Sequence, residues 1–449
     1  MQDPEAVSGS FDGVHRQTFG SGWFKLAAWT LFWLVTLGFT GKGLVSIVKS
    51  SPGAMHDFVA PYSGARCLLL GCDPYDSLQV QKTFADAGGQ PVDRGEKWSY
   101  IPPVYPPSTL VELLPFAFLN YHSARVAWFL LSALVSIASF LLWAGLLTPI
   151  YRPWMALLGA LLSASYAAAF ATEAGQTSFI AVGLAVISLW CFIRDRHNVA
   201  GVICLGIAMG LKPQLAGVVF LYLILRPVFR RPALKAAIIA IALLVIGVAW
   251  VSFSAPSKNW RAELSEHITT SQQVGGVNDP SNANQFAPDI VNAQAAWVLA
   301  TGDPSTYNLL SWLLFAALFI PFVIGAWRGA GTTTQMFGAL AAIACIGMLP
   351  VYHRVYDLLI LALTFPSLIC LFAQRQKLRW IAAAATLVAL APGPILNRIP
   401  QIHTLNIVWH LQALAVIALA IIWLLAMYVG DQECDAVYGQ IRLPLSATK

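Results

Sequence analysis

The sequence predicts an all-α polytopic membrane protein, a bundle of about 11–13 transmembrane helices with a large extracytoplasmic first loop. Three observations carry that expectation. The 449 residues are 57% hydrophobic and only 11% charged, whereas soluble domains carry about 25% charged residues. Apolar runs near the length needed to cross roughly 30 Å of hydrocarbon recur from end to end. The short connections between them are basic: Arg152, Arg194 with Arg196, Arg226 to Lys235, Arg328, and Arg375 to Arg379. The positive-inside rule puts such connections in the cytoplasm. The formal charge of +6 therefore reflects loop distribution and not nucleic-acid binding.

Taken in order, spans are expected near residues 23–48, 124–147, 153–171, 177–193, 236–253, 307–327, 333–350, 356–373, 380–391 and 405–428. The first is too long for a signal peptide and lacks a clear small-residue cleavage site, so it reads as an uncleaved anchor. The long connections at 49–123 and 254–306 have mixed or acidic charge and belong outside. Residues 1–430 form one transmembrane domain, both termini lie inside, and 431–449 is expected to be a short solvated cytoplasmic tail.

The apolar run from Val199 to Leu225 contains Lys212-Pro213 at its centre. The basic segments at 194–198 and 226–235 flank it, and both belong inside, so an even number of crossings must separate them. Breaking the run at Lys212-Pro213 gives two halves of about 13 residues, each about 20 Å long, and places Lys212 at an outward cavity. Discontinuous helices are tolerated where they line such a cavity. The alternative is one kinked helix with a snorkelling lysine.

With this topology the unusual polar residues fall on one side. Asp57 opens the first outer loop, where aspartate also serves well as a helix N-cap; from Phe58 on, the apolar spacing suits an interfacial helix. Asp73 and Asp76 form a DPYD turn, for which turn chemistry is a sufficient account. Cys67 and Cys72 have the spacing to bridge in this loop but suit no metal motif. Tyr100 and Tyr105 sit where an aromatic belt would place them, or where a ring could stack on a sugar. Thr109–Leu119 is too short to span. Gln176, with Glu173, lies in a tight outer turn. His353, Arg354 and Asp357 fall within five residues between two apolar runs, and Gln285 lies in an outer loop rich in Asn, Gln and Ser.

These residue types suit group transfer at the outer leaflet. Lys212, His353 and Arg354 can stabilise a phosphate leaving group, and Asp57 can take a proton from an acceptor hydroxyl. There is no Walker motif, nucleotide fingerprint or metal-spaced cluster, so neither a cofactor nor a metal is expected. The donor is expected to be lipid-linked.

The ordered set DFVAPYSGARCLLLGCDPYD, YIPPVYPPS, GQTS, GLKPQL, NANQF and YHRVYD resembles the bacterial polyprenol-phosphate-mannose-dependent mannosyltransferases of the C-type glycosyltransferase superfamily. The resemblance spans roughly residues 20–430. It implies transfer of a hexose, typically mannose, from a polyprenyl-phosphate donor to a glycan or glycolipid acceptor, with inversion, outside a bacterial inner membrane. It implies that Asp57 is the base and that Lys212 and His353, with Arg354, hold the phosphate. Tyr105, Gln176, Gln285 and Asp357 are further candidate substrate contacts. Pro61-Tyr62 departs from the family's tyrosine pair. The rival reading is a transporter or flippase of a lipid-linked saccharide, which also uses broken helices around a buried cation.

Overall fold

The computed structural model describes residues 22–49, 55–90, 104–254, 259–328, 332–374, 376–391, 407–429 and 437–438. Tyr100, Arg398 and most of 431–449 lie outside the described residues. The fold is all-helical, with no strands among the described residues. By length and hydropathy, six helices can cross a membrane, or seven if one bent pair counts as a span; five shorter apolar helices accompany them.

α1 (Gly22–Lys49) packs against α7 (Arg152–Ala164) and keeps Leu34 and Leu37 exposed toward lipid. α2 (His56–Leu70), α3 (Ser77–Asp86), α4 (Pro107–Glu112) and α5 (Leu114–Ala117) build a cap from the first outer loop. α2 forms where the sequence suggests a helix, and most of it is buried within the protein. Phe58 and Tyr62 are fully buried because the cap covers both faces of α2. Phe58 stacks on Trp128 at 5.1 Å, and the Tyr62 hydroxyl donates to Leu119 O at 2.7 Å. Asp73 and Asp76 are structural: Asp73 accepts from Tyr75 N, and Asp76 caps α3 through Leu78 N and Gln79 N. Cys67 and Cys72 are disulfide-linked.

α6 (Tyr121–Ala144) and α9 (Ser178–Ile193) pack together. Between them the span expected at 153–171 is broken. α7 and α8 (Tyr166–Ala174) meet at 50°, because Ser165 adopts extended backbone and its hydroxyl caps α8 by accepting from Ala168 N. The break expected at Lys212-Pro213 is present. α10 (Asn198–Leu211) ends, Lys212 takes φ −150° and ψ 80°, and Pro213 starts α11 (Pro213–Leu225). Proline has no N–H to continue the ladder, and the carbonyls freed at the end of α10 need donors. They come from α4: Ser108 Oγ donates to Gly210 O at 2.9 Å, and Thr109 Oγ1 reaches Gly210 O and Leu211 O at 3.2 Å. Beside them both carboxyl oxygens of Glu112 are buried without a hydrogen bond, and burial pushes this carboxyl up to about 9.

α4 is pressed onto α12 (Pro227–Ser254) at Gly247, where a Cβ would meet the Pro107 carbonyl oxygen at 2.5 Å and its carbon at 2.6 Å. Backbone cannot yield as a side chain does. Gly247→Ala is therefore expected to lift α4 off the broken helix, lowering stability by about 1–3 kcal/mol and turnover with it. Thermal unfolding and initial rates of the variant check this, and an unchanged melting temperature would contradict it.

The second outer loop carries α13 (Trp260–Gln272), a 3-10 turn at Ala287–Asp289 and α14 (Ala293–Trp297). α15 (Pro304–Arg328) follows. α16 (Thr333–Ile346), a 3-10 stretch at Val355–Thr364 and α17 (Phe365–Ala373) form the buried centre with α9–α11. α18 (Leu378–Ala389) and α19 (Ile407–Val429) close the bundle against α16. The tail does not simply run out into solvent: Val437 and Tyr438 are buried. Tyr438 bridges Leu147 and stacks on Phe337 at 4.5 Å.

Candidate active site

The local conformations that build the site are legible residue by residue. Asp57 lies in the first turn of α2, where a helix start favours a negative charge. Met55, in left-handed backbone, takes the N-cap position, so the expectation that Asp57 caps the helix is corrected. Its side chain points elsewhere: Gln176 Nε2 donates to Asp57 Oδ2, and His56 Nε2 lies 3.5 Å from Oδ1. The Tyr105 hydroxyl donates to the Asp57 backbone carbonyl at 3.2 Å. Burial, with Asp57 beside it, holds the Tyr105 phenol well above its ordinary range.

Gln176 reaches Asp57 because Gly175 turns the chain there. Its φ of 73° is left-handed, and a Cβ would meet Met55 and Phe58 side-chain atoms at 2.7–2.9 Å. Only glycine meets both demands at no steric cost. The sequence-level candidates Asp57, Gln176 and Tyr105 are therefore brought together.

Lys212 is deeply buried, and the partner considered from sequence is not the one found. Glu173 is exposed. Lys212 Nζ instead lies 2.6 Å from Asp357 Oδ1 and 2.8 Å from Ser178 Oγ, and it sits over the Tyr356 ring. His353 Nδ1 lies 3.0 Å from Asp357 Oδ2, and its Nε2 faces Gly347 O at 3.2 Å. Both ring nitrogens face acceptors. Asp357 is thus clamped between Lys212 and His353.

Asp357, 1% exposed, holds Lys212 and His353, and both side chains are engaged with it here. Asp57, at 17% exposure, is the carboxylate of the two that a substrate can reach.

Arg354, beside this cluster, has donor capacity to spare. Its Nη2 donates to Val277 O at 2.7 Å, while its buried Nε has no hydrogen bond. The guanidinium stacks near Phe286 and Tyr352, at 5.8 and 5.7 Å. Burial would lower its basicity, but Tyr352, Tyr356, Asp57 and Asp289 surround it and hold it firmly charged. The second outer loop is stitched to this motif. Ile290 bridges Arg354, and Val291 N donates to His353 O at 3.0 Å.

Gln285, expected as a sugar contact, is exposed, and no contact among the described residues ties it to Asp57 or Arg354. Its neighbour Asn284 is buried and holds the loop through the Val277 and Asp279 carbonyls. Sequence reasoning missed Ser178 and Asp289. Ser178 is the last residue of GQTS and was readable as part of it; Asp289 had no local signal.

A cavity of about 380 Å³ runs between α1, α6 and α8. Apolar and small residues line it, among them Phe39, Ile47, Ala133 and Ala168, and Glu173 and Gln176 also border it. Among the described residues no group of three or more metal-ligating side chains is assembled.

Residues 104–351 match the model of a family described as glycosyltransferase family 87. That match covers Tyr105, Gln176, Lys212 and Gln285; Asp57 and the His353–Asp357 motif lie outside it. No curated protein matches the chain.

Proposed function

Because the chain belongs to glycosyltransferase family 87 and is a membrane glycosyltransferase, we propose that it moves a hexose, mannose by resemblance, from a polyprenyl-phosphate donor to a glycan or glycolipid acceptor at the extracytoplasmic face of a bacterial inner membrane. The observation that carries this reading is the pairing of Asp57, reachable and oriented by Gln176, with Arg354, a charged guanidinium that keeps a buried unpartnered Nε. One is a base and the other an anion site, and each feels the other's charge.

In this mechanism Asp57 takes the proton of an acceptor hydroxyl. The acceptor oxygen forms a bond to the anomeric carbon, and the bond from that carbon to the phosphate oxygen breaks on the opposite face. Polyprenyl phosphate leaves with the electron pair, and Arg354 stabilises the charge that develops. A phosphate leaving group needs little proton donation, so a second acid is not required. The Lys212–Asp357–His353 cluster packs against this site, with the Lys212 ammonium over the Tyr356 ring. The apolar cavity bordered by Gln176 suits a lipid chain. Broken helices around a buried cation also suit a transporter, but family membership favours the enzyme.

The test uses purified protein with radiolabelled polyprenyl-phosphate hexoses and a panel of glycan and glycolipid acceptors, then repeats the assay in sealed right-side-out vesicles with an impermeant glycan acceptor. A labelled glycoside with released polyprenyl phosphate is expected in both. Transfer from nucleotide sugars, or none from any lipid donor, would overturn the reading.

A further inference from the structure

Asp289 is an acidic residue close to Arg354 in the fold that the mechanism above does not use. It ends the 3-10 turn Ala287–Asp289, and the following residues, Ile290 and Val291, are tied by backbone to Arg354 and His353. It is therefore held on the same frame as the proposed phosphate ligand. The Tyr166 hydroxyl donates to Asp289 Oδ1 at 3.2 Å. Oδ2 takes no hydrogen bond among the described residues, and Asp289 makes no ion pair among them. Burial pushes its carboxyl above the ordinary range, Arg354 and the Tyr166 hydrogen bond pull it down, and Asp57 pushes it up.

Tyr166 is also the end of an aromatic wall. It stacks on Phe170 at 5.7 Å and 19°, and Phe170 stacks on Tyr356 at 5.8 Å and 17°. The Lys212 ammonium lies 4.6 Å from the Tyr356 centroid. An aromatic face beside a carboxylate with an open oxygen is complementary to a sugar. The ring takes the C–H face, and the carboxylate accepts strong hydrogen bonds from hydroxyls.

The mechanism limits which sugar this can be. Arg354 marks the phosphate side of the anomeric carbon and Asp57 the acceptor side. The transferred hexose is bonded to the first and attacked from the second, so its ring lies between them. Asp289 is electrostatically coupled to both. We propose that Asp289, oriented by Tyr166, accepts hydrogen bonds from ring hydroxyls of the transferred hexose and sets which hexose the enzyme uses. This rests on the polyprenyl-phosphate hexose reading above.

A site that hydrogen-bonds a hydroxyl discriminates against a sugar that lacks it. A hydrogen bond to a charged group corresponds to roughly a ten- to hundredfold effect. The experiment measures kcat/KM for wild type, Asp289→Ala, Asp289→Asn and Tyr166→Phe with the preferred polyprenyl-phosphate hexose and with its singly deoxygenated analogues. In the wild type, at least one deoxy donor is expected to lose about ten- to hundredfold. In Asp289→Ala that penalty should vanish, because the hydroxyl has lost its partner; Tyr166→Phe should shrink it. Asp289→Asn keeps the shape and one acceptor oxygen, so it should retain part of the discrimination and supplies the readout if the alanine variant folds poorly. Equal deoxy penalties in wild type and both Asp289 variants overturn the proposal. If the wild type transfers no lipid-linked hexose at all, it is the underlying reading that fails.

Discussion

Asp57→Asn is expected to leave a folded chain that has lost about 10²–10⁴-fold in turnover, the usual effect of removing a general base. The substitution is nearly isosteric, and Asp57 makes few bonds that hold the fold. Its carboxylate receives Gln176 and lies near His56; the bond from Tyr105 goes to its backbone carbonyl, which the variant keeps. Donor affinity should stay near normal, since the proposed phosphate ligand is Arg354. Rates and donor binding measured side by side check the point. Near-normal turnover would move the base elsewhere, with Asp289 the next carboxylate on the same face.

The largest effect on stability is expected at Asp357. Removing one member of a buried ion pair leaves its partner uncompensated, typically at about 3–5 kcal/mol. Asp357 has two partners, Lys212 and His353, so Asp357→Asn leaves the Lys212 ammonium against a neutral amide and weakens the bond to His353. Lys212→Met should also destabilise, but less, because His353 still faces the carboxylate. This reverses what an unpaired intramembrane lysine would imply, where methionine would relieve a cost. The double variant Lys212→Met, Asp357→Leu should recover part of the stability by removing both charges, without recovering turnover. Melting temperatures of the three variants in one detergent decide it. An Asp357→Asn protein as stable as the parent would show that the clamp carries no net stability.

How far the sequence discloses this arrangement depends on the distance over which each feature is specified. The break at Lys212-Pro213 is local. A charge and a proline inside an apolar run have few structural solutions, and the two half-length helices were legible. The bend at Ser165 was not, because serine in an apolar run is common and breaks a helix only when its hydroxyl is committed to capping. The partner of Lys212 lies 145 residues away. Asp357 was readable only as a candidate substrate contact in YHRVYD, and only packing shows it buried against Lys212 and His353. Asp57 was readable from its place at the start of the first outer loop and from the ordered motifs. Its orientation by Gln176 depends on a left-handed glycine 118 residues on, which sequence spacing does not reveal. Asp289 had no signal, since an aspartate in a polar loop is ordinary until a tyrosine from another helix is found donating to it.

The cap that α4 places on the broken helix also bears on how the protein is made. Ser108 and its acceptor Gly210 are 102 residues apart, and the donor is synthesised first. With the proposed orientation, the first loop has been exported before α10 and α11 leave the ribosome. The second half of the pair then enters a membrane in which its hydrogen-bonding partner is already waiting on the far side. Until it docks, the carbonyls of Gly210 and Leu211 have only water or lipid headgroups to satisfy them. The nascent chain therefore passes through an inserted but catalytically unassembled stage. Its completion requires the early exported segment and the later half-helices to meet, and a truncated chain ending before Gly210 would leave that segment's hydroxyls with nothing to hold.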